Sequence, residues 1–189
     1  MNDISISPVW QPKVQQGAFR ELMNAFSEPG KVADFSQIAG QVDALTLVLA
    51  TLLDAEVTFA DQQQLISSLD SIRVESKKES PDLADYVVLN GNLKTDFTPR
   101  LGTLESPELG TTLVLRVRMV GDGDTALVLS GPGVATQRTL MVDGFDNDWI
   151  VARHDWNASF PLGVDFILVD DKRAVALPRT TLIKIQGAC

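Results

Sequence analysis

The chain has 189 residues, of which 44% are hydrophobic and 22% charged; that balance points to one globular domain over residues 1–189 and excludes a disordered chain. Its formal net charge is −9, which argues against general binding to nucleic-acid backbone or to anionic membrane surfaces. Cys189 is the only cysteine and His154 the only histidine, so an intrachain disulfide, a CxxC zinc site and a metal centre with two histidine ligands are excluded.

In chain order, Met1 to Ile6 carries no cation, and a secretory leader is not expected. Val14, Ala18, Phe19, Leu22, Met23 and Phe26 recur at helical steps after Pro12, and Ser27-Glu28-Pro29-Gly30 ends the run. Such a stripe is ordinarily a packing face; a partner-facing helix is the other reading. Val42 to Leu53 is apolar nearly all round and predicts a helix buried between layers. Its apolar part, Ala44 to Leu53, is too short to cross a bilayer. A soluble, cytoplasmic protein is expected, and the cysteine usage fits a reducing compartment. Val57–Ala60 reads as a strand. Asp61 is placed to cap a helix that buries Leu65, Ile66 and Leu69, and Ile72–Glu75 reads as another strand. Ser80-Pro81-Asp82 reads as a helix start, and Tyr86–Leu89 as a strand closed by Asn90-Gly91. This alternation favours a sheet with helices packed on it.

In the second half, Ser106-Pro107-Glu108 opens a short helical turn. Thr112–Val120 predicts a long strand with Leu113, Leu115, Val117 and Met119 on one face and Arg116 and Arg118 on the other. Gly121-Asp122-Gly123-Asp124 reads as a hairpin turn into a strand Ala126–Leu129. The letters Gly121-x-Gly123-x-x-Ala126 match a dinucleotide fingerprint, but a β-type run follows where phosphate binding needs a helix. Gly131-Pro132-Gly133 reads as a tight connection, with an anion-binding turn as the lesser reading. Phe145–Trp156 predicts a helix with Trp149, Ala152 and Trp156 on one side. Strands Val164–Val169 and Ala174–Leu177 flank a turn at Asp170–Arg173.

No catalytic constellation stands out. Asp143, Asp146 and Asp148 lack the glycine and glutamate of a calcium loop and suit a helix start instead. His154 is offset from the tryptophan stripe, and no GxSxG elbow occurs. Asn157-Ala158-Ser159 is a glycosylation sequon in form only. Arg116 and Arg118 call for anionic partners, either internal carboxylates or a phosphate-like ligand. Arg179 beside Thr180 and Thr181 offers a charge-assisted oxyanion site, against the ordinary reading of a surface ion pair.

Four segments together resemble a known family. Phe19–Gly30 looks like the opening helix of the H subunit of bacterial carbon–phosphorus lyase, the PhnH family. Leu129-Ser130-Gly131-Pro132-Gly133-Val134 is similar to its glycine turn, Phe160–Leu168 to its most recognisable run, and Ala176–Thr181 to its closing segment. Order and spacing agree from about residue 10 to residue 185.

The resemblance implies a three-layer α/β/α sandwich with a mixed sheet, similar to the pyridoxal-phosphate-dependent transferase fold but without that cofactor. It implies a role in alkylphosphonate use. With the G, I and L subunits, the H subunit supports attack of a phosphonate on ATP ribose, releasing adenine and leaving a ribose 1-phosphonate 5-triphosphate. With G, I and J it forms a core complex, and isolated members form homodimers. No catalytic residue is assigned to this subunit, and ATP is the nucleotide of the complex. Two roles follow: a mainly structural subunit, or a direct binder of ATP phosphates or phosphonate through Arg179, Thr180, Thr181, Arg116 or Arg118. A hydrolase acting through His154 is a weaker third.

Overall fold

The computed structural model describes residues 8–39 and 42–186, with the side chains of Ala39, Leu69 and Ile72 left aside. The sequence readings on Met1–Ile6, on the burial of Leu69 and on Cys189 fall outside what is described.

A 3-10 turn at Pro8–Trp10 leads into α1, Pro12–Ser27, where proline supplies the first turn's fixed φ. Then come β1 (Ala33–Asp34), α2 (Ser36–Ala39) and α3 (Ala44–Leu52). Asp43 caps α3 by accepting from the Thr46 amide, and Ala44, Leu45, Leu47, Val48, Leu49 and Ala50 are all buried, as the all-round apolar pattern predicts. After β2 (Thr58–Ala60) come α4 (Ser68–Arg73), β3 (Lys77–Lys78), β4 (Tyr86–Asn90) and β5 (Thr112–Arg116). The remainder is β6 (Met119–Ser130), β7 (Arg138–Asp143), α5 (Asp148–Trp156), β8 (Asp165–Val169), β9 (Arg173–Leu177) and β10 (Leu182–Ile185).

Seven strands form a mixed sheet in the order β1-β9-β8-β5-β4-β2-β3. β8, β5, β4, β2 and β3 run parallel, and β9 and β1 are antiparallel additions at one side. The period of two sorts the buried side chains. Val88, Val114, Ile167, Val169, Ala174 and Ala176 join α1 and α3 in one core. Leu89, Leu113, Leu115, Phe166, Leu168 and Leu177 join the core on the opposite face. The second outer layer differs from the expected α/β/α sandwich. A small antiparallel sheet, β10-β6-β7, shares it with α5. Leu127, Leu129, Leu140 and Val142 from that sheet pack beside Trp149 and Ile150 of the helix.

Five local readings are corrected. Asp61 accepts from the Leu65 and Ile66 amides at 3.0 and 3.1 Å, but it caps a turn; the helix begins at Ser68. Its cap is the Ser67–Asp70 pair, in which the Asp70 amide donates to the Ser67 hydroxyl and that hydroxyl donates to the Asp70 carboxylate. Ile72 and Arg73 therefore end α4, Val74 and Glu75 follow it as turn and coil, and the strand comes at Lys77. Ser80–Ala84 closes a single turn on the Ser80 carbonyl, because Asp85 is already committed to β2. The predicted strand Thr112–Val120 breaks at Arg118. The Val117 amide still donates to Val169, whereas the Arg118 amide donates to Asp143, so the chain leaves the large sheet for the small one. Met119 consequently sits half-exposed rather than in the core.

Gly121–Asp124 is not a hairpin turn. It is a bulge within β6, since Val120 and Thr125 both lie opposite Val142. Gly123 stands at φ 134°, and a Cβ there would meet the Asp143 amide at 2.5 Å.

Candidate functional site

The sequence-predicted arginines fall at opposite ends of the parallel strands. Thr112 pairs with Asp165 and Arg116 with Val169, so four residues of strand, about 13 Å, separate the Arg116 end from the Arg179 end. Arg116 forks between two carboxylates. Its Nη1 donates to Asp43 at 2.6 Å, and its Nη2 donates to Asp171 in the β8–β9 turn. It thereby ties the start of α3 to the sheet. Arg118, 73% exposed, pairs with Asp143 at 3.1 Å. Gly131 and Gly133 form the β6–β7 turn. A Cβ on Gly131 would approach the Thr180 carbonyl at 2.8 Å, and one on Gly133 would meet the Ser27 carbonyl at 2.3 Å. The turn thus docks on the end of α1 and on the Thr180 segment.

Arg179 is brought together with Thr181 and is held internally. Its Nη2 donates to Asp165 at 2.6 Å and its Nε to the same carboxylate at 3.2 Å. Its Nη1 donates to the carbonyls of Pro107 and Pro161 at 2.7 and 3.3 Å. The Arg179 amide also donates to Asp165, at 2.6 Å. The Thr181 side chain is buried.

One basic residue was not legible as a candidate. Arg153 on α5 is 4% exposed, and no carboxylate of the described residues lies within 4 Å of its guanidinium. Its Nη groups donate to the carbonyls of Leu177, Pro178 and Thr181, and the guanidinium stands 5.6 Å from the centre of the Phe166 ring. Burial pushes it down to about 10, against the opposing pull of Asp165. It is therefore still a cation at neutral pH. His154, its neighbour on α5, is exposed. Asn157 folds its amide onto Val164, accepting from that residue's N–H at 2.7 Å. Among the described residues no group of three or more His, Cys, Asp or Glu is placed to hold a metal ion.

The outward side of α1 is the second feature. Val14, Ala18, Leu22 and Ala25 point inward, whereas Phe19 and Met23 remain 49% and 51% exposed. With Phe26, Leu52 and Tyr86 they line an apolar groove of about 170 Å³. Burial pushes the Tyr86 phenol up, helped by Asp85, so it stays neutral. The predicted stripe is thus part core and part surface, and two of its largest members are left uncovered.

Comparison with known proteins agrees with the resemblance drawn from the segments. The family model for the bacterial phosphonate metabolism protein PhnH matches residues 8–184. The chain is 46% identical over 180 residues to the putative C-P lyase subunit protein HtxG of Stutzerimonas stutzeri, covering 95% of this chain and 91% of that protein. It is 27% identical over 182 residues to the alpha-D-ribose 1-methylphosphonate 5-triphosphate synthase subunit PhnH of Rhizobium meliloti (strain 1021), covering 89% of this chain and 90% of that one. The chain belongs to the PhnH family of bacterial phosphonate metabolism proteins.

Proposed function

We propose that this protein is a subunit of the enzyme that joins a phosphonate to the ribose of ATP, releasing adenine and leaving a ribose 1-phosphonate 5-triphosphate. Its part is chiefly to hold partner chains in place. The partners are the G, I, J and L subunits of the carbon–phosphorus lyase system, and the isolated protein is a homodimer in the cytoplasm. The names of both relatives support this reading, one as a C-P lyase subunit and one as a synthase subunit. The observation that carries it is the uncovered apolar face of α1, with Phe19 and Met23 each about half exposed. No described helix is long and apolar enough to cross a membrane, so that face suits a protein partner in water.

The fold relative remains, in this reading, the pyridoxal-phosphate transferases, but the residues do not fit that cofactor. Six of the seven lysines are exposed, and Lys94, the half-buried one, directs its Nζ at the Thr95 carbonyl. A Schiff-base lysine needs a pocket and an acidic partner for the ring. The complex is proposed to use ATP as co-substrate.

The test is co-purification. Tagged protein carrying Phe19→Asp and Met23→Asp is co-expressed with the four partner subunits. The double variant is expected to fold, because both side chains are already half in water, and to lose most of the captured partners. Capture at the wild-type level would refute docking through α1. A second reading, direct binding of an anionic substrate, is favoured by one observation, the buried Arg153, which has no carboxylate partner among the described residues.

A further inference from the structure

α5 and the Pro178–Lys184 segment enclose a cleft of about 310 Å³, at the lower bound for small-molecule sites. Four of its lining residues are Arg153, His154, Arg179 and Lys184, and none of the described residues that line it is acidic. In a chain of net charge −9, a polar wall with this many basic residues and no described carboxylate stands out. Arg179 is largely neutralised by Asp165. Arg153 has no carboxylate of the described residues within 4 Å, and Asp165 acts on it only from farther off. Lys184 makes no side-chain hydrogen bond or ion pair among the described residues. Two cations without a direct ion-pair partner among the described residues therefore line one cleft.

Two buried polar atoms there have no partner among the described residues. The Arg153 Nε and the Thr181 Oγ1 are each buried without a hydrogen bond to any of these, and Thr181 is 1% exposed. Groups of this kind are rare in folded proteins and call for a reason. The three carbonyls around Arg153 account for its Nη groups as a brace on the β9–β10 connection. They leave the Nε and the threonine hydroxyl unexplained.

We propose that this cleft is a binding site for a phosphorus oxyanion, a phosphate or phosphonate group bearing a substituent. Arg153 and Lys184 match a dianion in charge, where a carboxylate would use one of them. The Lys184 ammonium and the Thr181 hydroxyl are the donors, the hydroxyl reaching the ligand by rotation about χ1, while Arg153 adds its charge from the cleft wall. His154 stands at the rim. This deepens the second reading of the function and rests on the family role for its choice of phosphorus ligands.

The test is calorimetric titration of the full-length protein, alone and in the co-expressed complex, with methylphosphonate and with tripolyphosphate. The variants are Thr181→Val and Lys184→Ala, since neither side chain makes a hydrogen bond or ion pair among the described residues, valine keeps the shape of the buried threonine, and Arg153 braces a turn. Each variant is expected to weaken binding about tenfold while its melting temperature without anion stays near wild type. Binding of methylphosphonate alone assigns the site to the phosphonate, and binding of tripolyphosphate alone assigns it to the nucleotide; either supports the proposal. No binding of either anion, in both preparations, overturns it, as do unchanged affinities in both variants. Partner capture measured on the same samples separates the two claims. Capture without anion binding leaves the subunit role standing and removes the site, and loss of capture in Thr181→Val or Lys184→Ala makes this wall an interface instead.

Discussion

Asp85 shows how single groups set the behaviour of the fold. It accepts from the Thr58 amide and hydroxyl, each at 2.7 Å, and pairs with Arg100. Burial, the largest single influence, raises its carboxyl, but the hydrogen bonds from Thr58 and the Arg100 charge together bring it below the usual carboxylate range. A carboxyl depressed in the folded state stabilises above its unfolded value, about 3.9, and that contribution fades as pH falls through the lower folded value. Asp85→Asn is therefore expected to cost about 2 kcal/mol at neutral pH, with the gap to wild type closing below about pH 4. Urea midpoints across that range measure it, and a gap that persists at low pH contradicts the assignment. At this scale the sequence is half readable. Strand alternation tells that Arg116 seeks an anion, but its partners Asp43 and Asp171 lie 73 and 55 positions away, and no local pattern names them. Arg153 is hidden for a related reason. Its neighbours on α5 look like a helix end with ordinary cations, and only the β9–β10 connection folded over it makes it buried.

Elements with a strong period are legible, and those built on side-chain caps are less so. α1, α3, β4, β8 and β9 follow directly from their apolar spacing. Between residues 61 and 78 the chain has few apolar residues, and Asx and serine hydrogen bonds decide where the turn and α4 lie. The same applies to β6, where four residues with two glycines can end a strand or bulge within one. Only the partner strand β7, pairing on both sides of the bulge, decides it. Connections between elements are held by Arg179, which joins the Pro107 turn, the loop at Pro161 and the start of β8. Arg179 and Asp165 are 13% and 18% exposed, so removing one leaves the other charge largely buried. Arg179→Ala is expected to destabilise by about 3 kcal/mol or more, lowering the melting temperature by roughly 10 °C. A melting temperature within a degree or two of wild type would show that the clamp is dispensable.

At the scale of the whole molecule, one sheet separates two unlike layers. α1 and α3 cover one face, and a small sheet with α5 covers the other. The apolar groove on α1 belongs to the first layer and the basic cleft on α5 to the second, so the proposed docking face and the proposed anion site lie on opposite faces and are open to separate substitution. Class and mixed sheet were legible from the alternation of helix and strand. The small sheet in the second layer was not, because it depends on the switch at Arg118 from β8 to β7. The proposed synthase role is tested by adenine release from ATP and methylphosphonate by the reconstituted G, I and L subunits, with and without this protein. Release is expected only when the chain is present, and to fall with the loss of partner capture in the Phe19→Asp, Met23→Asp variant. Full adenine release without the chain would rule out that role.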